Sequence, residues 1–174
     1  HDNAIDFVAV QYGHVVRSQI HDSEDWCMYT KGGSAYLRVE GNEYYDCGTG
    51  GFTAGQGTGF EYMTSPWLHY EAYDIRFVNN IIHDTEGAGI GVNGGYNILM
   101  AHNTMYKVGS RDHVVEVVVP EQHDSGDRRL ELPVHRCVEL DGDLRHDGFP
   151  LSHFVLQIGW RNGVSISCGT FRKS

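Results

Sequence analysis

Apolar and polar residues alternate along the first 119 positions in runs of only three to five residues. This period of two predicts β-strands rather than helices, because successive side chains of a strand point to opposite faces. Strands this short cannot bury an apolar face alone, so we expect them to stack on one another. The clearest alternating pairs are Leu37/Val39, Ile75/Phe77, Ile90/Val92 and Ile98/Met100.

The alternating runs recur in two blocks. The first block aligns on one polar position at steps of 24, 38 and 23 residues: Ser18, Asn42, Asn80 and Asn103. The second block follows the first in runs that start at Val8, Met28, Phe52, Ile90 and Val115. A near-constant period predicts a solenoid of stacked strands, with the asparagine amides in a ladder along its side. An antiparallel sandwich would show short hairpins and no such period.

The segment NNIIHDTEGAGIGVNGGYNILMAHNT, from Asn79 to Thr104, resembles the repeats of the right-handed parallel β-helix superfamily. Its members include pectate-lyase-like and other polysaccharide-processing proteins, besides non-catalytic surface and adhesion proteins. The resemblance covers roughly residues 5 to 119. It implies an all-β, right-handed parallel β-helix over 1–119, followed at 120–174 by irregular rungs, a cap or a poorly ordered tail. Residues 5 to 13 match the second half of a rung, so we expect the chain to be a fragment of a longer coil.

An insertion at residues 58–73 lengthens one repeat, and it is rich in aromatic residues: Phe60, Tyr62, Trp67, Tyr70 and Tyr73. Insertions in solenoids form loops on one face, often the binding face, and aromatic rings stack on sugar rings. The alternative is that the rings pack the loop onto the coil. The candidate saccharide contacts are Tyr62, Trp67 and Tyr70, with Lys31, Glu86 and Asn93 from nearby corners.

Candidate catalytic residues lie in and after the insertion: Glu61, His69, Glu71, Arg76, Arg111 and His113. Resemblance to uronate lyases implies calcium or arginine to neutralise the substrate carboxylate, and a basic side chain to remove the C5 proton. For hydrolysis, Glu61 and Glu71 could serve as acid and base. No catalytic motif of the family matches residue by residue, so lyase, hydrolase and binding-only functions stay open. The alternative for these charged residues is simple solvation.

Two further columns of the repeat carry polar or aromatic side chains. One contains Asp22, Asp46, Asp84 and Lys107. A calcium ion at Asp46 and Asp84 is one interpretation, because hard cations prefer oxygen ligands. The other is that aspartate favours turn positions. The preceding column predicts an aromatic stack of His21, Tyr45, His83 and Tyr106.

Composition narrows the choice of partner. The net charge of −10 argues against nucleic acid, and no apolar run approaches the ~18 residues of a membrane span. The cysteines show no metal-binding spacing, and we favour small buried side chains over disulfides for Cys27, Cys47, Cys137 and Cys168. We expect a secreted or cell-surface monomer that binds or cleaves a polysaccharide or oligosaccharide, with Ca²⁺ as the candidate cofactor. A non-catalytic adhesion module or structural scaffold is the alternative.

Overall fold

The strands wind into a coil in which each complete turn, or rung, adds one strand to each of three parallel stacks. The computed structural model describes residues 2–111 and 114–118, and strand positions at 145–146, 149–150, 152–160 and 164–166. The first rung contains β1 (Ile5–Val8), β2 (His14–Val16) and β3 (Gln19–Ser23). The second contains β4 (Trp26–Lys31), β5 (Ser34–Glu40) and β6 (Glu43–Cys47).

The third rung is interrupted by the insertion. It contains β7 (Gly50–Ala54), a 3₁₀-helix (Phe60–Tyr62), β8 (Ala72–Val78) and β9 (Ile81–Thr85). The fourth contains β10 (Ala88–Asn93) and β11 (Gly95–Val108), which runs through a corner and supplies two sides. The next rung starts with β12 (Val115–Val118). These parallel stacks confirm the predicted β-helix architecture.

The register of the strands confirms most of the repeat alignment and corrects its first copy. Phe52 lies beside both Met28 and Ile90, as predicted. In the first rung, however, Ile5 lies beside Met28, whereas Val8 lies beside Lys31. Matching Val8 to Met28 was wrong because residues 9–13 connect β1 to β2, whereas only residues 32–33 connect β4 to β5. A glycine at each connection suggested equal lengths that the chain does not have.

The strands described after residue 144 form antiparallel pairs. They are β13 (Arg145–His146), β14 (Phe149–Pro150), β15 (Ser152–Trp160) and β16 (Val164–Ile166). β15 pairs antiparallel with β11, on the edge where the next parallel strand would continue the stack. The rest of the predicted 120–174 segment lies outside the described residues.

Inward-facing side chains from successive rungs stack into one continuous core. Phe77 lies between Val39 and Met100 in one such column, and its ring stacks on Phe52 from another side at a centroid distance of 4.3 Å. Tyr44 is fully buried among these apolar groups, and this burial raises the pKa of its phenol. Each large apolar side chain buried in this way contributes about 1.5–3 kcal/mol to folding.

The predicted asparagine ladder is present at the corner after β2, β5 and β8. The main-chain N–H groups of Ser18, Asn42 and Asn80 donate to Oδ1 of the next asparagine, at 3.0, 2.9 and 2.9 Å. The amides of Asn42 and Asn80 also donate along the ladder, each over 3.1 Å. Because each asparagine side chain is buried, the ladder satisfies polar groups that water cannot reach.

A disulfide joins Cys27 of β4 to Cys47 of β6, with the Cα atoms 5.5 Å apart. The preference for unpaired cysteines was therefore wrong for this pair. Twenty residues separate the two along the chain, but the rung closes on itself and brings the start of β4 to the end of β6. Cys137 and Cys168 lie outside the described residues.

Candidate functional site

The insert lies at the corner between β7 and β8 and comprises residues 55–71. The predicted bounds of 58–73 were too late, because Tyr73 belongs to β8, where it pairs with Ala35 and Tyr96. On the neighbouring rungs the same corner is closed by Gly32–Gly33 and by Gly94 alone. The insert therefore projects from a corner that is otherwise very short.

Glu71 fixes the base of the insert. Its carboxylate accepts hydrogen bonds from the main chain and hydroxyl of Thr58, at 2.8 and 2.5 Å, and from Gly32 N–H at 3.3 Å. Its main chain donates to Gly94 and accepts from Gly33. Glu71 thus connects three successive rungs, and both carboxylate oxygens are engaged in holding the loop.

The corner beneath the insert accepts only glycine at two places. A Cβ on Gly33 would lie 2.4 Å from Leu68 Cδ2, and one on Gly55 would lie 1.7 Å from the carbonyl oxygen of Asn93. Both glycines have positive φ, at +81° and +101°. Thr64 also donates from N–H and hydroxyl to Gly32 O, each over 2.9 Å. The insert is therefore packed onto the coil at its ends and in its middle.

The aromatic side chains of the insert divide into two groups. Tyr70 stacks on Tyr96 of β11 at 4.6 Å, as the packing alternative requires. Phe60, Tyr62 and Trp67 are instead 78%, 64% and 84% exposed and contact no other ring in the described part of the chain. Exposed rings on an anchored loop offer their faces to a ligand.

A second aromatic group, which the sequence prediction missed, lies beside the insert. Tyr12 stacks on Tyr36 at 4.9 Å, and Tyr36 meets Tyr73 edge-on at 5.6 Å. Partial burial, followed by the proximity of Tyr73 and Asp74, raises the pKa of the Tyr36 phenol. The 24-residue spacing of Tyr12 and Tyr36, equal to that of Ser18 and Asn42, could have revealed the pair.

These two tyrosines have left-handed backbone conformations, with φ of 61° and 57°. At the equivalent position of the next two rungs stand Asp74 and Asn97, both at 52°. Aspartate and asparagine tolerate this conformation, whereas it is unfavourable for bulky side chains. Stacking of the two rings on each other offsets part of this backbone cost.

A family model described as the right-handed β-helix region matches residues 2–113. The chain belongs to the right-handed β-helix family. The match confirms the resemblance, and it agrees with the parallel strand stacks of the structure. No curated protein and no solved structure matches the chain.

Three predicted site residues of this β-helix meet at the insert corner. Lys31 and Asn93 occupy the rungs on either side of Gly55, against which Glu71 packs. The Lys31 amine lies 4.6 Å from the ring centroid of Tyr29. Burial and the neighbouring Asp6 carboxylate raise the pKa of that tyrosine.

The other predicted catalytic residues are dispersed. Glu61 and His69 are exposed on the insert, and Arg76 is exposed on the outer face of β8. Arg111 forms an ion pair with Glu86, at the end of β10 opposite to Asn93. His113 lies outside the described residues. The described geometry therefore brings Lys31, Glu71 and Asn93 together but leaves Arg111 and Glu86 at another corner.

The acidic column adopts a turn-like geometry on every rung. Asp22, Asp46 and Asp84 have φ between 50° and 57°, which aspartate tolerates. Asp84 Oδ1 lies 3.7 Å from the Lys107 amine, and Asp84 Oδ2 lies 2.8 Å from His83 Nδ1. Within the described residues, no group of three or more His, Cys, Asp or Glu could hold a metal ion. Calcium at Asp46 and Asp84 stays a prediction.

The predicted aromatic stack lies on the outer face of β3, β6, β9 and β11. Tyr45 stacks between His21 and His83, and Tyr106 stacks on His83, with centroid distances of 4.6, 5.1 and 4.7 Å. Because each ring covers the next, this stack confirms the prediction but leaves few ring faces free. The described residues also include no helix long and apolar enough to cross a membrane.

Proposed function

We propose that this β-helix protein binds a polysaccharide or oligosaccharide through the rings of its insert. The supporting observation is the exposure of Phe60, Tyr62 and Trp67 on a loop that Glu71 anchors to three rungs. Apolar sugar faces stack on such rings, and an ordered loop loses little conformational entropy when the ligand binds. A loop with these rings would otherwise expose apolar surface to water without benefit.

The same proposal includes secretion or display at the cell surface. The Cys27–Cys47 disulfide supports it, because disulfides persist in oxidising compartments and are rare in the cytosol. The net charge of −10 is compatible with solubility at high concentration and gives no reason to expect nucleic acid.

Binding is a better supported activity than cleavage. A hydrolase needs one carboxyl group as acid and another as base or nucleophile. Glu71 holds the loop with both oxygens, and Glu61 is exposed on the 3₁₀-helix, so this pair is poorly suited to those roles. A lyase would release unsaturated products, and the ultraviolet absorbance of those products tests for cleavage of this kind.

The proposal is tested by titrating the protein with a panel of neutral and acidic polysaccharides and measuring affinity by calorimetry. Trp67→Ala should weaken binding about tenfold, as expected when one stacking contact is lost. Tyr45→Ala is the matched control, since it removes a ring from the stack on another face. Failure of every polymer to bind, or equal loss in both variants, would overturn the proposal. Ultraviolet absorbance of the same mixtures would reveal the unsaturated products of a lyase.

A further inference from the structure

We infer that the insert selects uncharged saccharides and discriminates against uronates and sulfated sugars, and that Glu61 sets this preference. The inference rests on the proposed saccharide binding by the insert and adds the charge class of the ligand to it. A uronate ligand would instead need arginine, lysine or calcium beside the stacking rings to neutralise its carboxylate.

The first argument is the charge of the insert itself. Residues 55–71 include two carboxylates, Glu61 and Glu71, one histidine, and no lysine or arginine. Glu71 is engaged in holding the loop, whereas Glu61 is exposed to solvent. An anionic sugar that stacked on the rings would lose part of its hydration without gaining a cationic partner from the insert. This loss costs free energy that an uncharged sugar does not have to spend.

The second argument is the position of Glu61 between two of the exposed rings. It lies in the 3₁₀-helix between Phe60 and Tyr62, and its carboxylate turns back over Gly59, where a Cβ would lie 2.7 Å from Oε2. The ion pairs within the described residues do not include it. A carboxylate accepts strong hydrogen bonds from sugar hydroxyl groups. The same charge repels a carboxylate or sulfate at this place.

The third argument is that the basic side chains of β5 and β8, which follow the corners beneath the insert, do not supply the missing cation. Arg38 forms an ion pair with Glu40 of its own strand. Arg76 follows Asp74 by two residues on β8. Each of these two strands contains one arginine and one carboxylate, so neither has a net positive charge that would attract an anion.

Lys31 and the chain as a whole give an anion no further reason to bind. The Lys31 amine lies 4.6 Å from the ring centroid of Tyr29, and Asp6 lies beside Tyr29 on the neighbouring strand. A carboxylate therefore stands on the same outer face as this amine. The net charge of the chain is −10, which repels a polyanion at longer range until salt screens the field.

The test uses pairs of polymers that share a backbone and differ in charge. Dextran, xylan and galactomannan, each with its carboxymethylated derivative, are titrated into the full chain by calorimetry at low and high salt. For a neutral polymer that binds, the carboxymethylated form should bind at least about tenfold more weakly at low salt. This gap should narrow at high salt, because salt screens the repulsion. A gap that salt leaves unchanged would reflect the bulk of the substituent and would overturn the inference.

Variants at Glu61 test whether the preference comes from the insert. Glu61→Gln keeps the shape of the side chain and removes its charge, so the gap should shrink. Glu61→Lys should let the carboxymethylated polymer bind at least as tightly as the neutral one. Glu24→Gln is the matched control, since Glu24 is also exposed but lies at the corner between β3 and β4.

The two proposals fail in different ways. If the carboxymethylated polymers bind as tightly as the neutral ones or more tightly, the charge preference is wrong and saccharide binding by the insert stands. The same holds if Glu24→Gln changes the gap as much as Glu61→Gln does. If none of these polymers binds the wild-type protein, the proposed function fails and this inference fails with it.

Discussion

Asn80 lies in the middle of the asparagine ladder, and its replacement by alanine tests how the coil is held together. The side chain makes four hydrogen bonds. Oδ1 accepts from the N–H and the amide of Asn42, and Nδ2 donates to Val39 O and Asn103 Oδ1, over 2.9 to 3.1 Å. All of them lie in the buried corner between rungs. Alanine removes the four bonds together.

The substitution affects the hydrogen-bond partners of Asn80 differently, and these differences set the size of the expected destabilisation. The Asn42 amide still donates to Val15 O, and Asn103 Oδ1 still accepts from the Asn80 main chain. The Asn42 main-chain N–H loses its partner inside the protein, which costs about 1–3 kcal/mol. With the loss of the remaining bonds, we expect Asn80→Ala to lower the free energy of unfolding by about 3–4 kcal/mol.

Asn42→Ala provides the comparison within the same ladder. Asn42 Oδ1 accepts from Ser18 N–H, and Ser18 is exposed, so water can replace that bond. The side-chain Oδ1 of Asn80 still accepts from the main-chain N–H of residue 42. We therefore expect a smaller loss, of about 1–2 kcal/mol.

Urea denaturation followed by circular dichroism measures both variants, and thermal unfolding gives an independent value. A difference of about 2 kcal/mol between them corresponds to roughly 4–8 °C in Tm for a chain of this size. Equal destabilisation by the two substitutions would refute the reasoning, since it would mean that the orphaned N–H of Asn42 carries no penalty.

Three further predictions concern the corner, the disulfide and a surface carboxylate. Gly55→Ala should destabilise the protein by at least about 2 kcal/mol, because its Cβ would overlap Asn93 O, whereas Gly57→Ala, whose Cβ meets nothing within 4 Å, should be nearly neutral by thermal unfolding. The double variant Cys27→Ser/Cys47→Ser should lose about 3 kcal/mol in denaturation, and reductant should weaken only the wild type through this pair. The pKa of Glu43 is lowered from 4.5, first by the Gln19 hydrogen bond and then by His83. Its stabilising contribution is therefore present above the unfolded pKa and is lost as pH falls through the folded value. In an NMR titration both Gln19→Ala and His83→Phe should raise this pKa, and an unchanged pKa in both variants would contradict the assignment.

The sequence predicts the columns of this fold well because stacking in register repeats the same environment on every rung. Spacing alone aligns Asn42, Asn80 and Asn103 in one column. It also places Tyr45 between His21 and His83. The lengths of the connections are harder to predict from sequence, since they are set by how the chain crosses a corner. That is why Val8 was matched to the wrong residue and the insert was placed three residues late at its start.

Contacts across the coil were not predictable from spacing. Cys27 and Cys47 meet only because three strands close a rung, and periodicity along the chain contains no information on that closure. The role of Glu71 was likewise misjudged. A carboxylate in an aromatic loop resembles a catalytic acid in sequence, but the same side chain satisfies the N–H groups of Thr58 and Gly32 in the structure. Only the folded structure distinguishes a catalytic carboxylate from one that holds the loop in place.

Exposed aromatic side chains therefore indicate function in this coil better than the charged residues do. Charged side chains at corners are common wherever the chain is solvated, and Arg111 with Glu86 illustrates this. Tyr12 and Tyr36 are different, because both rings are exposed and the next two rungs hold Asp74 and Asn97 in the same left-handed conformation. If Tyr36→Asn left saccharide binding unchanged, the binding site would be confined to Phe60, Tyr62 and Trp67 on the insert.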